Sequence, residues 1–331
     1  MPFDSLTTTA ASQETANLLL GAKVIKIHQP DRFSILLRLH HPGGNAKLLI
    51  SAHPVFGRFH LTETQPENPA TPPMFCMVLR KHLENSKLVD IQQLGDDRIV
   101  FFDFDATDEI GTPVKRRLIL EIMGKHSNLI LIDPAENIIL DGIRRYSHQI
   151  SRHREVLPGK PYLLPPSNEK ITLDHLTLET LQQLCLKESE TQGDLVSLLY
   201  QNIAGLSPFL AKEILYRAQI AEESVDFLGD YEYQKLWQSL QEIQTIKTSS
   251  AFQPVLLKNE TGFYDYYPIP LTMLEPAEQV SFATLSEALD RYFQIAKEQN
   301  LFRNQHRELE KIIQKEAQRL RKKIALQQTD Y

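Results

Sequence analysis

Segments of strand length follow one another through the first 143 residues, and helices break in only twice. That order constrains the chain more than any other feature. The β-type runs lie at 22–28, 33–40 and 46–52, and again at 87–94, 98–105, 117–123, 128–133 and 137–143. Successive strands joined without a crossover helix pair antiparallel, because a parallel partner needs a connection of about a dozen residues or more. The expected class is therefore α+β with a mainly antiparallel sheet, and alternating βαβ folds are excluded. Turn chemistry agrees: HPGGN at 41–45 and DPAEN at 133–137 place Gly, Pro and Asx residues where the chain must reverse. One interrupting helix is expected at 8–21, where Ala11, Ala16, Leu18, Leu19 and Leu20 interleave with polar residues before Gly21. The other is expected at 74–83, behind Pro72 and Pro73, whose missing N–H groups cost nothing at a helix start.

Four prolines within 157–170 mark a domain boundary. Beyond it helical patterns run at 176–188, 194–202, 208–219 and 231–246, followed by a hairpin at 253–268. From 283 a long helix keeps Phe302, Leu309, Ile313, Ala317, Leu320 and Ile324 on one side, the pattern of a coiled-coil arm that stops in mid-repeat. The expected division is 1–160, 170–280 and 283–331, with the chain read as an N-terminal fragment.

Net charge is 36 − 42 = −6, but the segment 302–331 holds 8 Lys/Arg against 4 Asp/Glu, so an extended polyanion partner stays open. No apolar run approaches the ~18 residues of a membrane span, and the first twenty residues lack a basic leader; a cytoplasmic protein without a membrane partner is expected. Cys76 and Cys185 have no metal-ligand spacing, and GxGxxG, GxxxxGKS/T, HExxH, GxSxG and CxxC are all missing. Neither an enzyme, a cofactor nor a metal is expected.

Three places carry binding chemistry. Asp97 and Arg98 follow Gly95-Asp96 between two strand runs; such an Arg suits bidentate phosphate or base-edge recognition with Asp97 orienting it, although the pair is also a common turn dipeptide. In MGKHSN (123–128) Gly124 forces a turn that carries Lys125, His126, Ser127 and Asn128, either as a phosphate or ribose grip or as a polar hairpin tip. In IAGLSPFLAKEI (203–214) a Gly205-Leu206-Ser207-Pro208 turn joins two helices, as a phosphate-holding helix–hairpin–helix or as a packing αα-hairpin. Asp103 and Asp105 share one strand face, where they either hold a cation or are simply solvated.

These stretches together resemble the NFACT family of ribosome-associated quality-control proteins, many of them labelled fibronectin-binding protein A-like. The resemblance rests on MPFDSL (1–6), KIHQPD (26–31), LLISAHPVFGRFHLT (48–62), NPATPPMFCMVLRKHLE (68–84), DDRIV (96–100), LILEIMGKHSNLILID (118–133), LPGKPY (157–162) and GLSPFLAKEIL (205–215). Ser5 departs from the family, which usually has Gly there. The resemblance implies an NFACT-N domain with the N-terminal fold of formamidopyrimidine-DNA glycosylases, then a helix–hairpin–helix domain and a coiled coil. It implies binding to an obstructed large ribosomal subunit (rRNA) and to a stalled peptidyl-tRNA, recruitment of alanyl-tRNA, and untemplated C-terminal tailing. Asp97 and Arg98 match its tRNA-handling Asp-Arg motif; Lys125, His126 and Asn128 are the expected further tRNA contacts, with Gly205 and Ser207 as a secondary RNA contact. Pro2 matches the glycosylase nucleophile, but Phe3 puts no carboxylate beside it, which speaks against base excision. A fibronectin-binding surface adhesin is the rival class, with a secondary presence at the cell surface.

Overall fold

A computed structural model describes residues 3–147, 154–166, 169–189, 194–220, 228–260 and 262–296. Helix α1 (Ser5–Leu19) is followed by β1 (Lys23–His28), β2 (Ser34–His41), β3 (Gly44–Ser51) and β4 (Arg58–Leu61). Helix α2 (Met74–Leu83) leads into β5 (Lys87–Gln93), β6 (Ile99–Thr107), β7 (Pro113–Glu121), β8 (Asn128–Asp133) and β9 (Ile138–Gly142). Among the described residues these nine strands form one sheet in the order β4-β3-β2-β1-β5-β6-β7-β8-β9, with antiparallel pairing throughout. The antiparallel α+β class is the one the strand order requires. Strand β4 has only four residues, too few for alternation to be legible in sequence.

The sheet does not lie open. β1 and β5 share a single registered pair, Lys23 with Lys87, and the ribbon bends there so that its halves face each other. Phe59 of β4 meets Phe102 of β6 edge-on at 5.5 Å, although four strands separate them in the sheet, and Phe3 packs on Phe59 at 5.7 Å. Ile27, Leu37, Ile50, Val100 and Leu120 fill the space between the halves. Each is fully removed from water, a burial that stabilises by about 1.5–3 kcal/mol per side chain.

Helix α1 corrects the amphipathic reading. Thr7, Thr8, Ala10, Ala11 and Thr15 are buried, whereas Leu18 and Leu20 are 42% and 47% exposed. Small side chains let α1 sit close against β5 and β4, and its hydroxyls return to acceptors: Thr8 Oγ1 donates to Asp4 O at 2.7 Å and Thr9 Oγ1 to Gln93 Oε1 at 2.7 Å.

Helices α3 (Leu178–Ser189), α4 (Leu195–Asn202), α5 (Pro208–Ala218) and α6 (Asp230–Ser249) enclose a second core around Leu181, Leu199, Ile214 and Leu240. A small sheet, β10 (Val255–Asn259), β11 (Gly262–Tyr267) and β12 (Gln279–Ser281), separates the two cores. Strand alternation does this directly: Leu256 and Tyr266 join the first core, while Val255, Leu257 and Tyr267 join the second.

A last helical segment over 285–296 packs Leu285, Ala288 and Leu289 into the first core, so the beginning of the expected arm is part of the body. The remainder of that expectation, 297–331, lies outside the described residues. Glu14 accepts the N–H groups of Leu285 and Ser286 at 2.7 and 3.1 Å. Asp290 accepts from Thr62 Oγ1 at 2.6 Å and from the Glu63 N–H at 2.8 Å, and meets His60 Nε2 at 3.1 Å. His60 is buried, and burial holds its pKa below the ordinary histidine value despite the bond to Asp290.

The depressed pKa has a definite sign. Once the pH falls below the unfolded value of ~6.5, the unfolded chain binds the proton more readily than the folded one. The contribution of His60 to stability is therefore full above that pH and declines as the pH drops through it toward the folded pKa. Thermal unfolding followed from about pH 7.5 to about pH 5 should show a decline that His60→Gln reduces. An undiminished decline in the variant would place the titration instead at one of the partly buried histidines whose pKa is also lowered, His28, His53 or His82.

Candidate nucleic-acid interface

The bend stacks strand ends from both halves of the sheet on one another. Ser51 pairs with both Ser34 and Arg58, and His28 with Leu36, which gathers the β1–β2 and β3–β4 connections at one end. Gly57, in the second connection, lies against Ile122 and Ser127, where β7 gives way to β8. Ile122 N–H in turn donates to Arg98 O at 2.9 Å. The loops at 29–33, 53–57, 94–98, 122–127 and 143–146 thus share one end of the molecule.

Asp97 and Arg98 occupy the turn between β5 and β6. Gly95 adopts φ +53°, the Asp97 N–H returns to Leu94 O at 3.0 Å, and Gln93 Nε2 donates to Asp97 O at 2.8 Å. Asp97 Oδ1 accepts the Arg98 backbone N–H at 2.7 Å, so Asp97 fixes the peptide that carries Arg98 and does not grip the guanidinium. Among the described residues no group pairs with that guanidinium. Other arginines are occupied: Arg116 by Asp133, Arg117 by Asp103, Arg145 by Asp141 and Arg154 by Glu121. Asp103 and Asp105 are likewise taken up by Arg117 and Lys115, cross-strand ion pairs that leave no cation site there.

Residues Gly124–His126 form a single 3₁₀ turn with Gly124 at φ +59°, and Lys125 and His126 are exposed on it. Asn128 is not available, which corrects its place among the expected RNA contacts. Its side chain is fully buried: Nδ2 donates to Arg144 O at 2.9 Å, while Oδ1 accepts from Leu129 N–H at 2.9 Å and Arg144 N–H at 3.1 Å. Arg144, missed as a site residue in sequence, wraps the turn through Nη1 to Lys125 O at 2.6 Å and lies 5.1 Å from the Tyr146 ring centre. Nearby, His53 stacks on Phe56 at 5.1 Å, Arg32 lies 5.5 Å from the Phe33 ring, and Val55 and Phe56 are exposed. Cations interleaved with rings suit phosphates together with unstacked bases.

Gly205 and Ser207 also receive a correction. The N-terminus of α5, expected to hold a phosphate, already faces an anionic group of the chain itself. Ser207 Oγ caps α5 by accepting the Leu210 N–H at 3.1 Å and donates to Asp4 Oδ2 at 2.9 Å. Gly205, at φ +79°, nests so closely on Asp96 and Ser5 that a Cβ would stand 3.1 and 3.2 Å from them. Both residues join the second core to the first, and Asp4, which joins them, gave no sign in sequence beyond its position before a helix.

Residues 4–331 match the family described as NFACT N-terminal and middle domains. The chain belongs to the NFACT family. Rqc2 homolog RqcH of Bacillus subtilis (strain 168) is 35% identical over 328 residues, 98% of this chain and 54% of that protein. Ribosome quality control complex subunit NEMF of Homo sapiens is 26% identical over 318 residues, 88% of this chain and 28% of that protein. The chain therefore spans about half the length of the Bacillus relative. Among solved structures, the fibrinogen binding protein from Staphylococcus aureus superposes with a TM-score of 0.74 at 33% identity, over 88% of this chain and 99% of that one.

Replacing Asn128 by Ala strands the Arg144 peptide groups and should cost about 1–3 kcal/mol of unfolding free energy. Lys125→Ala, at an exposed position, should stay within about 0.5 kcal/mol. Denaturant titration of both variants checks the assignment, and a negligible loss for Asn128→Ala would overturn the structural role given to that side chain.

Proposed function

We propose that this chain is the tRNA- and ribosome-facing part of a ribosome-associated quality-control factor. In this reading it binds an obstructed large ribosomal subunit with its stalled peptidyl-tRNA, recruits alanyl-tRNA and promotes alanine tailing of the nascent chain. The observation that carries it is the Arg98 guanidinium, unpaired among the described residues and held on a fixed turn at the same end as Lys125 and His126. Relatives named for ribosome quality control supply the context. Arg98 would make the bidentate contact to phosphate or base edge, and Asp97 would set its backbone. Lys125 and His126 would add phosphate contacts, and the Phe56 and His53 rings a stacking surface. Peptide-bond formation would remain the chemistry of the ribosome, with no protein nucleophile.

One observation favours a second reading: the Staphylococcus aureus neighbour is named for fibrinogen binding. A surface adhesin for fibronectin or fibrinogen predicts saturable binding of these proteins by intact cells and no RNA held in the cell.

The test is crosslinking of the full-length protein to RNA in cells, with Arg98→Ala and Asp97→Asn beside it. A bidentate contact is worth about 1–3 kcal/mol, so Arg98→Ala should lower the tRNA share by about 5- to 150-fold. Its unfolding temperature should barely move, because the guanidinium has no partner within the described fold. Asp97→Asn keeps the Oδ1 acceptor and should keep most of the tRNA. Absence of RNA from well-folded wild-type protein would overturn this reading in favour of the adhesin.

A further inference from the structure

Beside this end lies a cleft of about 630 Å³ that the Arg98 site does not include. Gln29, directly after β1, lines it and is 6% exposed, yet among the described residues its Oε1 has no hydrogen-bond partner. A buried amide oxygen left without a donor is costly, and such a group points to a missing partner. The N-terminus of α2 lines the same cleft. Pro73 caps it without any side-chain bond, and the first bond of that helix runs from Met77 N–H to Pro73 O at 3.2 Å. The N–H groups of Met74, Phe75 and Cys76 precede that bond and have no acceptor among the described residues. A helix start with free N–H groups and the positive end of its dipole favours an anion.

Two arginines line the same cleft. Arg32 is exposed and carries no ion pair among the described residues. Arg145 bonds Asp141 through Nε and Nη2, at 2.8 and 2.9 Å, which leaves Nη1 unengaged among the described residues. Asp141 is the one carboxyl among the described residues of the lining, and it is already held by Arg145 and by the Gly142 N–H at 2.8 Å. Met74 and Phe75 add apolar surface.

We propose that this cleft binds one nucleotide. Its phosphate sits at the start of α2 between Arg32 and Arg145, a sugar hydroxyl or exocyclic amino group donates to Gln29 Oε1, and the nucleoside covers Met74. The volume is that of a small-molecule site and far exceeds a bare phosphate. The nucleotide is either free in solution or one residue of an RNA chain; the RNA case rests on the function proposed above, and the free case stands without it.

Calorimetric titration of the full chain with inorganic phosphate, AMP, CMP, GMP and UMP tests this, followed by competition with tRNA. At least one nucleoside monophosphate should bind saturably and at least 10-fold tighter than phosphate. Gln29→Leu should lose that preference at an unchanged or raised unfolding temperature, and Arg32→Ala should weaken nucleotide and phosphate together. Displacement of the bound nucleotide by tRNA assigns the site to RNA, and bound nucleotide that tRNA leaves in place assigns it to a free ligand. No binding at ligand concentrations up to about 10 mM would overturn the proposal. So would equal binding of phosphate and nucleotides that Gln29→Leu leaves intact. Neither result bears on tRNA crosslinking through Arg98, so the two readings fail separately.

Discussion

One carboxyl group organises the molecule. Asp4, 5% exposed, accepts the Thr7 N–H and Thr7 hydroxyl on Oδ1 at 3.0 and 2.8 Å, and the hydroxyls of Ser207 and Tyr267 on Oδ2, both at 2.9 Å. The starts of α1 and α5 therefore converge on one acceptor, and both helix dipoles favour negative charge there. Burial, with Asp4 alongside, pushes the Tyr267 phenol well above its usual pKa, so it serves as a donor. These bonds connect the first core, the second core and the small sheet between them. They also reach the site: Ser5, the first residue of α1, offers its carbonyl and hydroxyl to Gln93 Nε2 at 3.3 and 3.1 Å, and the same nitrogen holds Asp97 O. The turn that presents Arg98 is thus braced by the helix that Asp4 caps.

The bend in the sheet does the rest. An open ribbon of nine strands would scatter its connections over two distant edges. Folded at Lys23 and Lys87, it brings loops from both halves to one end, and several of them carry cations and rings. A net charge of −6 does not oppose a polyanion there, because exposed charges more than about 10 Å apart are largely screened at moderate salt. What matters is which cations nearby are free. Among the described residues of this end, Arg98 has no partner for its guanidinium and Lys125 is exposed, while Arg144 and Arg145 are partly spent on holding the turn and β9 in place.

Much of this was legible in sequence, for reasons that also explain the gaps. Strands show because alternation is local, and the antiparallel class follows from the lack of crossover helices. The turn at Gly124 shows because glycine takes φ +59° without the steric cost that most side chains meet there. Burial of Thr7, Thr8 and Thr15 does not show, since a hydroxyl bonded to its own helix backbone counts as polar in any pattern. Asn128 is a similar case: a turn residue looks the same in sequence whether its amide faces water or the backbone of Arg144. Ser207 and Tyr267 lie 203 and 263 positions from Asp4, so their meeting depends wholly on the tertiary fold. The same residues that can grip a phosphate at a helix start here grip a carboxyl of the chain, and nothing local separates the two.

The helix over 285–296 ties the far end of the described chain to the same loops. Phe293 sits under the Arg58 guanidinium at 3.5 Å and packs edge-on against Phe56 at 6.0 Å. Arg58 Nη1 donates to Phe56 O at 3.0 Å, and Phe56 stacks on His53 within the 53–57 loop. Tyr266 and Tyr292 close the cage around the same ring. Close-packed aromatic contacts transmit displacement rather than absorb it. The helix over 285–296 and the 53–57 loop are therefore held in one packed aromatic cluster centred on Phe293, at the end of the molecule that carries Gly124.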